Sequence, residues 1–345
     1  MVWEIFTASG TPRTAGRAWE AIPEPPPWRR HRPAGTAPTF LPPPGLTDAV
    51  NAALHLRRPL LLTGLPGSGK STLVEMIAAE LQLGEVLRWH ITSKSTLEDG
   101  LFGYDALGRL HASQVERART STLAEGARSV GNADDVARFV TLGPLGTALA
   151  DTERPRAVLI DEIDKSDPDL PGDLLDVLER HEFRIPPLAR DAGEFATDGD
   201  SAEERHSTDS HGGRSGARTR RVRGDDKNFY PVTDGAVQAI HTPVIVLTSN
   251  NERTFPPPFL RRCVRFTMPK PDLNELARIV EAHFSPETAV LVREEIAAFY
   301  RQITGDQTLA IDQLLNLVHL VTAEDTIDSE ARDNIEQILL SDLNS

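Results

Sequence analysis

Apolar and polar positions along the chain alternate between two rhythms, one of short unbroken apolar runs and one of helical stripes. Pro59–Thr63 (P-L-L-L-T) has no polar interruption and predicts a strand buried on both faces. The amphipathic segment Thr72–Leu83 follows, with Gly84 where a helix C-cap glycine would stand. Upstream, Ala49–Leu56 supply apolar helical positions behind Thr47 as N-cap, and Arg57-Arg58-Pro59 stops that helix. Glu85–Thr92 alternates as a second strand would, and Ala157–Ile160 are four apolar residues running into Asp161-Glu162. A helix is expected from about Asp169 or Pro171 to Arg180, with Leu174, Leu175 and Leu178 on one face. Short strands are expected at Glu182–Ile185, ended by Pro186-Pro187, and at Phe229–Val232. Pro243–Asn250 reads as a buried strand ending in polar residues, and Phe259–Phe266 as a helix end and a further strand. Beyond Pro269 the pattern is helical, over Asp272–Phe284, Ser285–Ile303, Leu309–Thr322 and Asp328–Leu343, which predicts a separate small helical domain.

Three stretches break these rhythms. Residues 1–45 hold Trp3, Trp19 and Trp28 among many prolines, and read either as a disordered linker or as an extended arm that packs on the core or a neighbouring subunit. Residues 93–153 are irregular, with a polar helical candidate near 112–128. Residues 189–227 segregate their charge: seven acids between Asp191 and Asp209, then Arg214, Arg218, Arg220, Arg221 and Arg223 without an acid among them. That composition argues for a disordered insertion, or alternatively a basic finger for nucleic acid or an acidic partner.

Composition narrows the classes. The 345 residues suffice for about two domains, and 37 basic against 51 acidic side chains (net charge -14) argue against general nucleic-acid affinity. A single cysteine, Cys263, excludes an intrachain disulfide and a cysteine-rich metal site. No apolar run approaches the about 18 residues that a membrane span needs. Met1–Gly10 lacks a basic region followed by an apolar stretch, so no secretory leader is expected and the expected compartment is the cytoplasm.

The chemistry concentrates where the first buried strand ends. Gly64–Ser71 has the spacing G-x-x-x-x-G-K-[ST] between a strand and a helix, the context that a phosphate-binding loop requires. The glycines Gly64, Gly67 and Gly69, with Pro66 and Ser68 among them in the loop, let successive backbone N–H groups turn inward, and the helix N-terminus from Lys70 through Ser71 and Thr72 adds its partial positive charge. In this reading Lys70 reaches the β- and γ-phosphates of a nucleoside triphosphate and the Ser71 hydroxyl is a ligand of Mg²⁺. Asp161 is suited to hold the same Mg²⁺, and Glu162 to polarise an attacking water.

At this point the chain resembles the AAA+ ATPases, on Gly64–Ser71, Val158–Glu162, Thr248-Ser249-Asn250 and Arg261-Arg262. Asp161-Glu162-Ile163-Asp164-Lys165 followed by Pro168 is similar to the signature of the MoxR branch. The resemblance covers about residues 46 to 345. It implies an α/β fold, a P-loop NTPase parallel sheet of order 5-1-4-3-2 over 46–268, with an all-helical lid over 269–345. It also implies ATP and Mg²⁺ at the seams of a homo-oligomeric ring, usually a hexamer. By the resemblance Asn250 is the sensor 1 residue and Arg262, with Arg261 beside it, the arginine finger that enters the neighbour's site; surface charge is the plain alternative for this pair. Gly100–His111 falls where a helix-2 insert belongs, and Phe102 and Tyr104 are either pore contacts or core residues. The strands near 182–186 and 229–232 match a pre-sensor-1 hairpin. No arginine stands near Leu309–Leu314, where a sensor 2 cation is expected.

The leading expectation is therefore an ATP-hydrolysing ring that remodels a partner protein, for instance one with a von Willebrand factor A domain. A nucleic-acid-dependent motor or restriction-type NTPase, and an ATP-gated assembly switch with little turnover, are the competing readings.

Overall fold

Ala157–Ile160 are wholly removed from solvent, which a strand achieves only when both faces of its sheet are covered. In a computed structural model, which describes residues 22–29, 39–122, 136–190, 217–305, 309–322 and 329–340, this run forms β5, Ala157–Asp161. It lies in a parallel sheet with β1 (Leu60–Thr63), β2 (Leu87–His90), β10 (Val244–Ser249) and β11 (Val264–Thr267). The order is β11-β1-β10-β5-β2, which is 5-1-4-3-2 when these five strands are counted along the chain. Every pairing is parallel, with Leu60 opposite Val246 and Val264, and Val158 opposite Ile245 and Leu87. The central strands are continuously apolar, whereas the edge strands β2 and β11 alternate between buried or half-buried and exposed positions. The expected sheet is thus present with its expected order.

Alternate residues of the strands feed two cores. Leu60, Leu62, Leu159 and Val246 pack with the helices α1 (Leu46–Leu56) and α2 (Lys70–Glu80). Leu61, Val158, Ile160 and Leu247 pack on the other face. There lie the helices Pro144–Ala150 and Leu170–Arg180 and a second sheet, of which the apolar pattern announced only two strands. α1 starts one residue before Thr47, with Gly45 (φ 82°) as its cap in place of the expected threonine.

The second sheet has six strands in the order β3-β4-β7-β8-β9-β6: β3 Phe102–Tyr104, β4 Val140–Leu142, β6 Glu182–Arg184, β7 Thr219–Arg223, β8 Phe229–Thr233 and β9 Ala236–Gln238. It joins the two stretches read as separate insertions, through the parallel pairing of Thr141 with Arg223. Two expectations change here. The strands at 182–184 and 229–233 are not direct partners, because β9 lies between them. Asp234 and Gly235 (φ 51° and 69°) make the two-residue turn that sends the chain back as β9. Further, four of the five arginines of the block lie at or within β7, opposite β8, so residues 217–227 are strand and turn, not disordered insertion. Residues 191–216, 123–135 and most of the arm, with Trp3 and Trp19, lie outside the described residues. Phe102 is buried and stacks on Phe183 (centroids 6.5 Å apart), so it is a core residue.

The lid forms a third core, with Leu276, Val280, Ile296, Phe299, Leu314 and Val318 at its centre. Its helices are Leu273–His283, Pro286–Leu291, Arg293–Thr304, Ile311–Thr322 and Ser329–Leu339; the expected single helix over 285–303 is divided at Val292. Among the described residues no helix is long and apolar enough to cross a membrane.

A buried cation ties the second sheet to the first. Arg156, immediately before β5, donates to Asp151 (3.2 Å), Asp226 (2.9 Å) and the Tyr230 hydroxyl (3.0 Å). Tyr230 in turn donates to Asp226 at 2.6 Å. Burial acts to raise the Asp226 carboxyl, but the hydrogen bonds from Tyr230, Arg156 and Asn228 outweigh it and hold the group at about 2, below its ordinary 3.8. Burial and the same carboxylate push Tyr230 up to about 12. A carboxyl depressed on folding stabilises above its unfolded value and loses that contribution as pH falls through the folded one. The stability difference between wild type and Asp226→Asn is therefore expected to narrow as pH falls from about 4 to 2. Denaturant unfolding at several pH values checks this; a difference that stays constant over that interval would refute it.

Candidate functional site

The C-terminal ends of β1, β5 and β10 meet at one cavity of about 470 Å³. β1 leads into the loop Gly64–Gly69, and α2 begins at Lys70 with Gly69 (φ 81°) as its cap. That left-handed backbone suits glycine, and space enforces the choice: a Cβ on Gly69 would stand 2.5 Å from the ring of Phe40.

Lys70 is buried, and its ammonium donates to the carbonyls of Gly64 (2.8 Å) and Leu65 (2.9 Å) and to Asn250 Oδ1 (2.9 Å). Burial pushes its pKa below the ordinary lysine value, against the attraction of Asp161, Asp164 and Glu162. Three acceptors thus solvate the cation from within the protein.

Asp161 is the hub of a second set of bonds. Its Oδ1 accepts from Ser71 Oγ (3.2 Å) and from Thr248 Oγ1 (2.5 Å). The Thr248 hydroxyl also accepts from the backbone N–H of Glu162 (2.9 Å), which has φ 61°, a left-handed conformation uncommon for a side-chain-bearing residue. Thr248 therefore fixes both acids of the pair. The Glu162 carboxylate meets Lys165 Nζ at 2.9 Å and His90 Nε2 at 3.8 Å, and Lys165 is raised by that hydrogen bond. Asp164 is buried, and its Oδ2 accepts from the backbone N–H groups of Asn250 (2.9 Å) and Glu252 (3.0 Å), which sets the loop after β10.

The donor set of Ser71 and Asp161, one hydroxyl and one carboxylate 3.2 Å apart, fits a hard cation that keeps several waters and takes its other ligands from a polyphosphate. Mg²⁺ would be held by these two residues.

Of the residues singled out in the sequence, Pro66, Gly67, Ser68, Gly69, Lys70, Ser71, Thr72, Asp161, Glu162 and Asn250 line this cavity, and Gly64 contributes its carbonyl to Lys70. Arg261 and Arg262 do not. Arg262 is ion-paired with Glu179 at the end of the helix Leu170–Arg180 and donates to Pro258 O at 3.1 Å. Sequence reasoning missed Thr248, His90 and Lys165 as neighbours of the acids, although Thr248 and Lys165 both stand in the quoted motifs. It also missed the far wall: Trp28, Thr39, Phe40 and Leu41 of the arm, and Ile279, His283, Ile311, Asp312 and Leu315 of the lid.

The lid meets the loop at Gly67 (φ 70°), where a Cβ would lie 2.9 Å from Ala310 Cβ and 3.0 Å from Asp312 Oδ1. A carboxylate of these C-terminal helices thus faces the phosphate loop. A bound polyphosphate would feel that charge, more strongly with more phosphates. Asp312→Asn should tighten binding of a nucleoside triphosphate about threefold to tenfold at low salt, less for the diphosphate, with the gain shrinking as salt rises. Equilibrium titration at two ionic strengths measures this; equal affinity in variant and wild type would show that Asp312 is electrostatically silent.

Comparison with known proteins agrees with the loop and the strand that follows it. Residues 59–203 match the family described as AAA domain (dynein-related subfamily). Among solved structures, a point mutant of Thermotoga maritima RuvB is 15% identical, with 85% of this chain and 67% of that chain covered, at a TM-score of 0.39. A second point mutant of the same protein is 14% identical, covering 85% and 66%, at 0.36. The Thermotoga maritima RuvB Holliday junction branch migration motor is 14% identical, covering 86% and 74%, at 0.29. No curated protein sequence matches the chain.

Proposed function

We propose that the chain is an AAA+ ATPase subunit that hydrolyses ATP at the seams of a homo-oligomeric ring and uses the cycle to remodel a partner protein. The observation that carries this is the pair Asp161-Glu162 at the end of β5, in the same cavity as Lys70, Ser71 and Asn250. Lys70 binds and neutralises phosphate oxygens, giving up its three protein acceptors. Ser71 and Asp161 hold Mg²⁺, which supplies charge neutralisation when bound. Glu162, released from Lys165, accepts hydrogen bonds from the attacking water and takes its proton. Asn250, released from Lys70, orients that water.

The same cavity supports the ring. Phosphoryl transfer gathers negative charge in its transition state, yet among the described residues lining the cavity there is no arginine. Arg262, with Arg261 beside it, stands outside its own site. In this reading it exchanges Glu179 for the neighbour's γ-phosphate. The resemblance of Asp161–Pro168 to the MoxR signature supports a partner with a von Willebrand factor A domain.

One observation favours the nucleic-acid reading: Arg221 and Arg223 lie exposed on β7 beside exposed Phe229, and Arg221 sits 5.9 Å from that ring. Salt-dependent binding of DNA or RNA that vanishes in Arg221→Ala/Arg223→Ala would select it.

Glu162→Gln should bind ATP and lose at least about 100-fold in turnover, whereas Lys70→Ala should lose nucleotide binding. Robust steady-state hydrolysis by purified Glu162→Gln would overturn the role of Glu162. Arg262→Ala should be inactive alone, and mixing it with Glu162→Gln should restore activity, because about a quarter of randomly assembled seams then join an intact glutamate to an intact arginine. Two inactive variants that stay inactive when mixed, despite co-assembly, would return the whole site to one chain.

A further inference from the structure

The carboxylate proposed to receive the proton of the attacking water stands on an unusual backbone. Glu162 has φ 61°, in the left-handed region, which a residue with a side chain keeps only where its surroundings hold it there. Its N–H donates to Thr248 Oγ1 at 2.9 Å, and its carbonyl accepts from the backbone N–H of Lys165 at 2.9 Å. Its carboxylate meets Lys165 Nζ at 2.9 Å. That last contact has to open before the carboxylate can take a proton from water. Thr248 is then the side chain that still holds the Glu162 backbone.

Thr248 is suited to hold it. The residue is buried at the end of β10, one position beyond the parallel pairing of Leu247 with Ile160, and so stands level with Asp161. Branching at Cβ restricts its rotamers. A hydroxyl has one proton and two lone pairs. The Glu162 N–H takes a lone pair, and the proton goes to Asp161 Oδ1, 2.5 Å away. The same carboxylate oxygen accepts from Ser71 Oγ at 3.2 Å. A continuous chain of hydrogen bonds therefore runs from the residues suited to Mg²⁺, through one hydroxyl, to the backbone of Glu162. Bonds in such a chain strengthen one another. Asp164 makes the return link, its Oδ2 accepting from the backbone N–H groups of Asn250 and Glu252, so the ends of β5 and β10 are tied in both directions.

Resting on the reading that Glu162 is the base of an ATPase, we propose that Thr248 is its positioning residue. The Thr248 hydroxyl, oriented by the Asp161 carboxylate, holds the left-handed backbone from which the Glu162 carboxylate reaches the water. The aim of the base is thereby made dependent on the acid that takes the metal.

Thr248→Val keeps the shape of the side chain and removes the hydroxyl, whereas Thr248→Ser keeps the hydroxyl and removes the methyl group. Thr248→Val should lose about tenfold to a hundredfold in kcat for MgATP with KM within about threefold, and Thr248→Ser should keep kcat within about threefold. Thr248→Ala, which also lacks the hydroxyl, is read in the same way should the valine not pack. Because the action passes through Glu162, Thr248→Val/Glu162→Gln should turn over within about threefold of Glu162→Gln alone. Amide exchange gives a readout that needs no turnover: without nucleotide, the Glu162 N–H should exchange at least about tenfold faster in Thr248→Val than in wild type or Thr248→Ser. Wild type without turnover overturns the ATPase reading and, with it, the base to be positioned. Wild type that turns over, with Thr248→Val equally fast, overturns the positioning role alone. So does Glu162 exchange that is the same in Thr248→Val and wild type. A further loss of about tenfold in the double variant also overturns it, because Thr248 would then act on Asp161 and not through Glu162.

Discussion

A lysine ammonium placed at the mouth of a phosphate loop must be solvated by something whenever the phosphates are away. Lys70 meets that demand with the carbonyls of Gly64 and Leu65 and the amide oxygen of Asn250, and its pKa remains depressed even so. The loop, the end of β10 and the start of α2 are thereby held together without ligand. Binding then exchanges one set of oxygens for another, and the desolvation of Lys70, already incurred on folding, is not incurred again. The same logic governs Glu162, whose carboxylate rests on Lys165 and near His90. Both groups are held in place, each by a partner that an incoming reactant can displace.

Arg262 repeats the arrangement outside the cavity. Its guanidinium rests on Glu179, whose pKa it lowers, on a solvent-accessible part of the surface. An exposed ion pair of this kind contributes little to stability. It keeps a long cationic side chain extended and costs little to give up, which suits a group whose proposed work lies in the next subunit.

Much of this was legible in the sequence, and for identifiable reasons. The parallel sheet was visible because strands covered on both faces are unbroken apolar runs, as in Leu60–Leu62, Ala157–Ile160 and Val244–Leu247. The two edge strands betrayed themselves by alternation. Of the second sheet only β6 and β8 were visible, because β3, β4 and β9 are three residues each, too short for any period to register. Asp234-Gly235 did carry a readable signal, since an Asp-Gly pair between short apolar stretches marks a two-residue hairpin. The charged block misled in the opposite sense. Arg221 and Arg223 face solvent while Val222 is buried, so composition suggested disorder where alternation was building a strand. Within the site, the loop and the two acids were fixed by local spacing. Thr248, Asp312 and the arm were not, because their roles arise from contacts between separate stretches of the chain.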